Sequence, residues 1–176
     1  MSSQTADRYS KVLFDLAQEQ KNLGEIEKAL AGLKKLIADS PDLRRFLLNP
    51  LLSEQEQAST LKALFEGRVP ALVYQFLVFT ASKGRLNILE EILESFENLY
   101  LASTNQIRVD VKTALPMDDA EKAFINQKLE EKFHQKIITQ WILDPSLIGG
   151  FRIFAEGKLY DYSFKNQLDH FLQQTT

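Results

Sequence analysis

The chain of 176 residues contains no cysteine. It therefore forms no disulfide bond and offers neither a thiolate ligand for zinc nor a thiol nucleophile. This composition is compatible with a reducing cytoplasm. Histidine is also scarce, with two residues in the chain, so the side chain that most often acts as a catalytic base near neutral pH is nearly missing.

No charge of one sign dominates the sequence. Its 21 basic and 24 acidic residues are spread along the chain and give a formal net charge of -3. Because a nucleic-acid-binding protein needs a clustered basic surface, this balance argues against a nucleic-acid partner.

Long apolar runs are absent as well. No run approaches the roughly 20 residues that span a bilayer. The start of the chain, MSSQTADRYS, lacks the basic and then apolar pattern of a signal peptide. We therefore expect no direct membrane insertion, so that any association with a membrane depends on a partner.

Helical periodicity dominates the sequence up to Ser103. The apolar stripes at helical spacing are Tyr9, Val12, Leu13 and Leu16; Ile26, Leu30, Leu33 and Ile37; and Leu89, Ile92, Phe96 and Leu99. Two helix-start signals lie between the second and third stripes. Ser40 precedes Pro41, and Ser53 with Glu56 has the spacing of a capping box. This pattern predicts about six helices packed as a bundle.

The periodicity changes after this point. Apolar and charged residues alternate from Ile107 to Val111, which is typical of a half-buried strand. Asp118 and Glu121 predict a capped helix, and residues 137–143 predict another strand. A small domain with mixed secondary structure therefore follows the helices.

These patterns together predict an α+β fold class. We expect an N-terminal six-helix bundle over residues 1–105 and a small C-terminal mixed α/β domain over residues 106–176.

The stretch from Leu147 to Leu168 has the densest sequence of structural signals. Gly149 and Gly150 mark a point where a side chain would be unwelcome, and the next residues predict two short strands joined by a turn at Glu156, Gly157 and Lys158. Ser163 is a good N-cap for a terminal helix. The apolar stripe of that helix is Phe164, Leu168, Phe171 and Leu172.

The order of these residues resembles the end of the delta subunit of bacterial F-type ATP synthase, the family that includes the mitochondrial oligomycin-sensitivity-conferring protein. The resemblance lies in the Gly-Gly pair, the acidic turn and the Asp-x-Ser that opens the last helix. Two other segments agree with the family, namely Arg8, Tyr9, Lys11, Leu13, Phe14 and Ala17 near the start, and Lys83, Gly84, Arg85 and Leu86. Phe154 and Tyr162 depart from the family pattern, in which a polar residue and a glycine are more usual.

The segment from Leu72 to Phe79 is apolar at every position except Gln75. Such a helix either lies at the centre of the bundle, surrounded by its neighbours, or packs on one side and lines a groove for a partner helix on the other. Phe14 favours the groove, because it points away from the predicted stripe of the first helix and would be exposed unless a partner covered it.

The resemblance implies a structural role in the stator of the ATP synthase. In that family, the groove between the first and fifth helices binds the N-terminal segment of the alpha subunit. The residues expected there are Leu13, Phe14, Ala17, Phe76, Val78 and Phe79. The C-terminus of the b subunit is expected to contact the terminal apolar residues Phe164, Leu168, Phe171 and Leu172. The expected location is the cytoplasmic face of the bacterial inner membrane, as a peripheral component.

No catalytic or metal-binding pattern stands out, so we expect neither an enzyme nor a cofactor. His134 and His170 each fall in a predicted helix, far apart in sequence. The acidic residues Glu90, Glu91, Glu94 and Glu97 lie opposite an apolar stripe and are typical of a solvated helix surface. A strand follows Gly149-Gly150, which favours a bulge or close backbone contact over a phosphate loop.

Two alternative functions remain open from the residues alone. One is an RNA-binding helical regulatory factor, which would retain polyanions at moderate salt. The other is an enzyme that uses a pair of carboxylates too far apart in sequence to be recognised.

Overall fold

The computed structural model describes residues 3–155, 157–164 and 166. The chain divides into two compact units, Met1–Tyr100 and Leu101–Thr176. This division lies in the last turn of a helix, a few residues before the change of periodicity in the sequence. In the described residues, helices are followed by a mixed sheet and a further helix, which confirms the α+β class.

The first unit is helical. Its elements are α1 (Gln4–Glu19), α2 (Leu23–Asp39), α3 (Pro41–Leu48), α4 (Glu54–Phe65), α5 (Ala71–Ser82), a 3-10 turn (Leu86–Ile88) and α6 (Leu89–Ser103). The predicted caps are present: Ser40 accepts a hydrogen bond from the Leu43 N–H, and Ser53 and Glu56 form a complete capping box. These side chains satisfy N–H groups that the first turn of a helix leaves without partners.

The core of the first unit includes both large and small side chains. Its largest fully buried residues include Phe96, Leu13, Ile26, Ile37, Leu61, Leu77, Leu89 and Ile92. The buried residues of α1 are Ala6, Ser10, Leu13, Phe14 and Ala17. Ser10 and Ser95 join α1 to α6 through a buried hydrogen bond of 2.8 Å between their hydroxyl groups.

Helix α5 combines the two roles that its sequence left open. Its buried residues are Leu72, Val73, Phe76, Leu77, Thr80 and Ala81. Gln75 and Phe79 are exposed on the same helix. One side of α5 therefore belongs to the core while the other contributes apolar surface.

Within its described residues, the second unit contains a four-stranded sheet and a helix that connects two of the strands. Its described elements are β1 (Gln106–Thr113), α7 (Asp119–Phe133), β2 (Lys136–Leu143), β3 (Gly150–Ala155) and β4 (Lys158–Ser163). The strand order is β2-β1-β3-β4, with β1 and β2 parallel and the other two pairs antiparallel. A parallel pair needs a crossover connection, which α7 supplies.

Both strand predictions around α7 are confirmed. In β1, Ile107, Val109 and Val111 are buried, so the alternation in the sequence marks the inner surface of the sheet. The capping box of Asp118 and Glu121 is also present at the start of α7. The core on this surface consists of Ile107, Val109, Val111, Leu129, Ile153 and Ala155, with Trp141 packed against it.

The Gly149-Gly150 pair makes a close backbone contact, as its sequence context predicted. A β-carbon at Gly149 would lie 2.3 Å from Cδ2 of Phe164, and one at Gly150 would lie 2.4 Å from the carbonyl oxygen of Tyr162. Gly150 also has a φ of 79°, in the left-handed region that glycine adopts without strain. Gly150 is therefore required by the close approach of β3 to the backbone at the end of β4, whereas a side chain at Gly149 would meet the exposed ring of Phe164.

Two expectations for polar residues need correction. His134 is not inside α7 but follows its last residue in a left-handed conformation, with φ 55°. The acidic surface of α6 is not uniformly solvated, because Glu90 pairs with Arg44 and Glu97 with Lys34, at 2.9 and 2.8 Å. These carboxylates tie α6 to neighbouring helices.

Candidate functional site

A mostly apolar groove of about 420 Å³ lies between α1 and α5. Its lining residues are Arg8, Tyr9, Val12, Leu13 and Leu16 from α1 and Leu72, Gln75, Phe76 and Phe79 from α5. Of these nine, only Arg8 carries a charge. The groove can therefore accept an apolar surface of a partner of suitable shape.

Aromatic rings form the part of the groove where α1 meets α5. The ring centroid of Tyr9 lies 6.4 Å from that of Phe76, at an interplanar angle of 74°, and 5.9 Å from that of Phe79, at 34°. Phe79 remains 49% exposed. Ring pairs at these distances restrict each other's rotamers. The rings therefore offer a large apolar surface, and a partner that binds it costs little additional side-chain entropy.

Polar groups border this aromatic cluster. The Nζ atom of Lys83 lies 5.7 Å from the ring centroid of Phe79, within the range of a cation–π contact. Gln75 supplies the only amide among the lining residues. These groups lie beside the apolar surface, and none crosses it.

Three of the six residues predicted for this site line the groove, namely Leu13, Phe76 and Phe79. Val78 is half-buried and lies outside the lining. Ala17 is fully buried in the core. The predicted set is therefore split between the groove and the interior.

Phe14 requires a correction, because the sequence suggested that it would face solvent. It is 7% exposed, and its ring centroid lies 5.9 Å from that of Phe96. Val12 and Leu16, which were assigned to the core stripe, are 56% and 39% exposed and line the groove. Two of the four residues of the stripe predicted for α1 thus lie on its outward surface, while Leu13 of the same stripe is fully buried.

Arg8, Gln75 and Leu72 line the groove and were not predicted to do so, while Tyr9, Val12 and Leu16 were expected on the inward apolar stripe of α1. The small residues of α1 give a signal that could have corrected this. Ala6, Ser10 and Ala17 share a surface with Leu13 and Phe14 at helical spacing. Small side chains mark a surface where helices approach closely.

The second unit has an apolar groove of its own, of about 340 Å³, between α7 and the hairpin of β3 and β4. Its lining residues are Met117, Glu121, Phe124, Ile125, Lys128, Leu129, Lys132, Phe151, Ile153 and Tyr162. Two residues after Tyr162, the side chain of Phe164 is 57% exposed. Leu168, Phe171 and Leu172, the other predicted contacts of this unit, lie outside the described residues.

No cluster of metal-binding side chains occurs within the described residues. Among them, no group of three or more histidine or acidic side chains is placed to hold a metal ion. His134 follows the last residue of α7, while His170 and Glu156 lie outside the described part. In that part, no helix is long and apolar enough to cross a membrane.

A comparison with protein families identifies a family whose model matches nearly the whole chain. The model of the ATP synthase delta (OSCP) subunit matches residues 5–174. The chain belongs to this family. Membership makes the chain a peripheral-stalk subunit of a membrane-associated ATP synthase, a structural component rather than a catalytic one.

Relatives from distant sources agree with membership of the delta (OSCP) family. The chain is 30% identical to the chloroplast ATP synthase subunit delta of Trieres chinensis, over 96% of this chain and 90% of that protein. It is also 30% identical to the ATP synthase subunit delta of Halalkalibacterium halodurans, over 93% and 90%. The match spans both units.

A solved structure supports the fold of the delta (OSCP) family for this chain. A chain of the Toxoplasma gondii mitochondrial ATP synthase hexamer superposes with a TM-score of 0.81, covering 98% of each chain at 18% identity. Identity at this level supports the fold alone.

Proposed function

We propose that the chain joins the catalytic head of the ATP synthase to its peripheral stalk through two docking surfaces. One is on the six-helix bundle predicted over residues 1–105 and takes the N-terminal helix of the alpha subunit. The other is on the small domain predicted over residues 106–176 and takes the C-terminus of the b subunit.

The single observation that supports the first surface most strongly is the groove between α1 and α5. Its apolar lining, interrupted by one charge, suits an amphipathic helix laid in a groove with its apolar side inward. Phe76 and Phe79 are the expected anchors, because aromatic side chains at the centre of an interface contribute much of its binding energy. Val12 and Leu16 extend the contact along α1.

Exposed apolar residues at the end of β4 support the second surface. Phe164 is more than half exposed, and Tyr162 lines the adjoining groove of α7 and the hairpin. A contact of the b subunit that begins at Phe164 can continue into this groove. Each of the two interfaces has to bury on the order of 1,000 Å² or more to persist under load.

The proposed role follows from the mechanics of a rotary motor. The catalytic head turns with the rotor unless a stator holds it, and rotation that carries the head along makes no ATP. A non-catalytic subunit with two apolar contacts resists this torque. In a bacterial cell, it does so at the cytoplasmic face of the inner membrane, without inserting into the bilayer.

The experiment that tests the first surface is calorimetric titration of the full chain with a synthetic peptide of the alpha-subunit N-terminus. A peptide of about 20 residues spans about 30 Å as a helix, enough to fill the groove. We expect Phe79→Asp to weaken binding by about 2–4 kcal/mol, because it removes an aromatic anchor and replaces it with a charge that docking would strip of water.

Leu36→Asp is the matched control, because Leu36 is 47% exposed on α2 and lies outside the groove. It introduces the same charge at a similar exposure and should leave the affinity unchanged. If the wild-type chain does not bind the peptide, or if both variants lose binding equally, the groove is not the docking site.

A further inference from the structure

We infer that the groove between α1 and α5 selects its occupant by charge, through a salt bridge between Arg8 and a carboxylate on the apolar helix that docks there. This inference rests on the proposed function and adds to it a chemical requirement on the partner. The requirement is an acidic side chain placed to meet Arg8 in the groove.

Arg8 is the only charged residue among the nine that line the groove. Its side chain is exposed, and within the described part of the chain it forms no hydrogen bond or ion pair. Among the described residues, no carboxylate lines the groove. An acidic residue from outside therefore meets a cation that no internal partner has already neutralised.

The charged neighbours of Arg8 on α1 are committed to other contacts. The Oδ1 atom of Asp7 accepts a hydrogen bond of 2.8 Å from the Ser95 hydroxyl. Lys11 pairs with Asp15, one turn further along the helix, at 2.8 Å. Asp7, Lys11 and Asp15 do not line the groove, so on α1 the charge available there is that of Arg8.

A second cation lies beside the groove. The Nζ atom of Lys83 lies 5.7 Å from the ring centroid of Phe79, and Phe79 lines the groove together with Arg8. Cations at and beside the groove attract a carboxylate and repel a lysine or arginine on the incoming helix. Like-charge repulsion of this kind rejects incorrect helices that have the right apolar pattern.

Docking also makes an unpaired Arg8 unfavourable. A helix seated in the groove removes water from the guanidinium, and a charge that loses water without gaining a partner destabilises the complex. A carboxylate matches the planar guanidinium with two parallel hydrogen bonds. The salt bridge therefore contributes mainly to specificity, because a helix without the acid leaves Arg8 unpaired and binds less well.

The test is calorimetry of the full chain with the alpha-subunit N-terminal peptide at low and high salt. We expect Arg8→Gln to weaken binding about 3- to 10-fold at low salt, and we expect the difference to shrink at about 0.5 M salt, where screening is strong. Arg68→Gln, at an exposed arginine outside the groove, is the matched control and should bind as the wild type does.

A charge swap then identifies the partner residue. Each acidic residue of the peptide is changed in turn to lysine and tested against Arg8→Glu. We expect one lysine peptide to bind the wild type poorly and to recover affinity with Arg8→Glu.

The outcomes separate this inference from the function beneath it. If the wild type binds the peptide and Arg8→Gln binds equally well at both salt concentrations, charge selection is refuted while groove docking stands. The same holds if no lysine peptide recovers affinity. If the wild type does not bind at all, the proposed function fails and this inference fails with it.

Discussion

The rings of Tyr9 and Phe79 lie 5.9 Å apart and tilted by 34°, joining α1 to α5 at the groove. Tyr9 is half-buried, whereas Phe79 is more exposed to solvent, at 49%. The pair therefore belongs partly to the fold and partly to the surface. Changes to either ring should affect folding and docking to different degrees.

Replacing Tyr9 separates the contribution of the ring from that of its hydroxyl. Tyr9→Ala should destabilise the chain by roughly 1–3 kcal/mol, because it removes the ring that contacts both Phe76 and Phe79. It should also weaken binding of the alpha-subunit peptide. Tyr9→Phe should stay within about 0.5 kcal/mol, since the hydroxyl has no hydrogen-bond partner among the described residues. Thermal unfolding and calorimetry measure the two effects, and a large loss in Tyr9→Phe would contradict this account.

Phe14 and Val12 test which surface of α1 is buried. Phe14→Ala should lower the free energy of unfolding by about 3–5 kcal/mol, because it leaves a cavity beside Phe96. Val12→Ala removes an exposed side chain, so it should change the free energy of unfolding by no more than about 0.5 kcal/mol. It should, however, weaken binding of the alpha-subunit peptide.

Far-UV circular dichroism during chemical unfolding gives both stabilities. The reverse result would be that Val12→Ala destabilises the chain and Phe14→Ala affects only peptide binding. That result would mean that α1 presents the opposite surface to the core.

The error on α1 has a physical cause in the small residues of its buried surface. Ala6, Ser10 and Ala17 contribute little to an apolar stripe, so the larger Val12 and Leu16 dominate the pattern on the other side. The Ser10–Ser95 hydrogen bond between α1 and α6 is invisible until both helices are placed. Local periodicity cannot choose between two stripes when tertiary contacts decide.

Local signals predicted the element boundaries much better. The caps at Ser40, Ser53 and Asp118 are short-range interactions between side chains and the backbone, so the sequence alone contains them. The alternation in β1 likewise identified its buried surface. The lining of the groove depends on how two distant helices meet, so only its general position could be predicted, from the family resemblance and the apolar α5.

Gly150 and Gly157 form a natural comparison in the second unit. Both have positive φ, but a β-carbon at Gly150 would lie 2.4 Å from the Tyr162 carbonyl oxygen, whereas one at Gly157 would meet nothing within 4 Å. Gly157→Ala should cost about 1–2 kcal/mol from backbone strain alone. Gly150→Ala should cost roughly 3 kcal/mol or more, since steric overlap is added to the strain.

Trp141 reports these changes, because it is the only tryptophan and packs against the core of the sheet. Its fluorescence during denaturant unfolding gives the stability of the second unit. Equal losses in the two alanine variants would show that the close contact between β3 and β4 contributes nothing.

Asp161 gives the second unit part of its acid sensitivity. Burial raises the pKa of this carboxyl, but hydrogen bonds from Ser163 and Arg152 outweigh burial and leave the pKa below its ordinary value of 3.8. A lowered pKa in the folded state stabilises the fold above the unfolded pKa, and this contribution is lost as the pH falls through the folded value.

We therefore expect the wild-type stability, followed by Trp141 fluorescence, to fall as the pH drops below about 4. Asp161→Asn should be less stable at neutral pH and show a shallower fall. Asp119→Asn removes a carboxylate outside this network and should keep the wild-type slope. If Asp161→Asn keeps that slope as well, the Arg152–Asp161 pair does not contribute to acid sensitivity.

The most direct test of the stator role is proton-driven ATP synthesis by native membranes depleted of this chain and rebuilt with purified protein. We predict that depletion abolishes synthesis, that the wild type and Leu36→Asp restore it, and that Phe79→Asp fails at the same concentration because it cannot hold the alpha subunit. Full synthesis by the depleted membranes would contradict the proposal that this chain holds the head still.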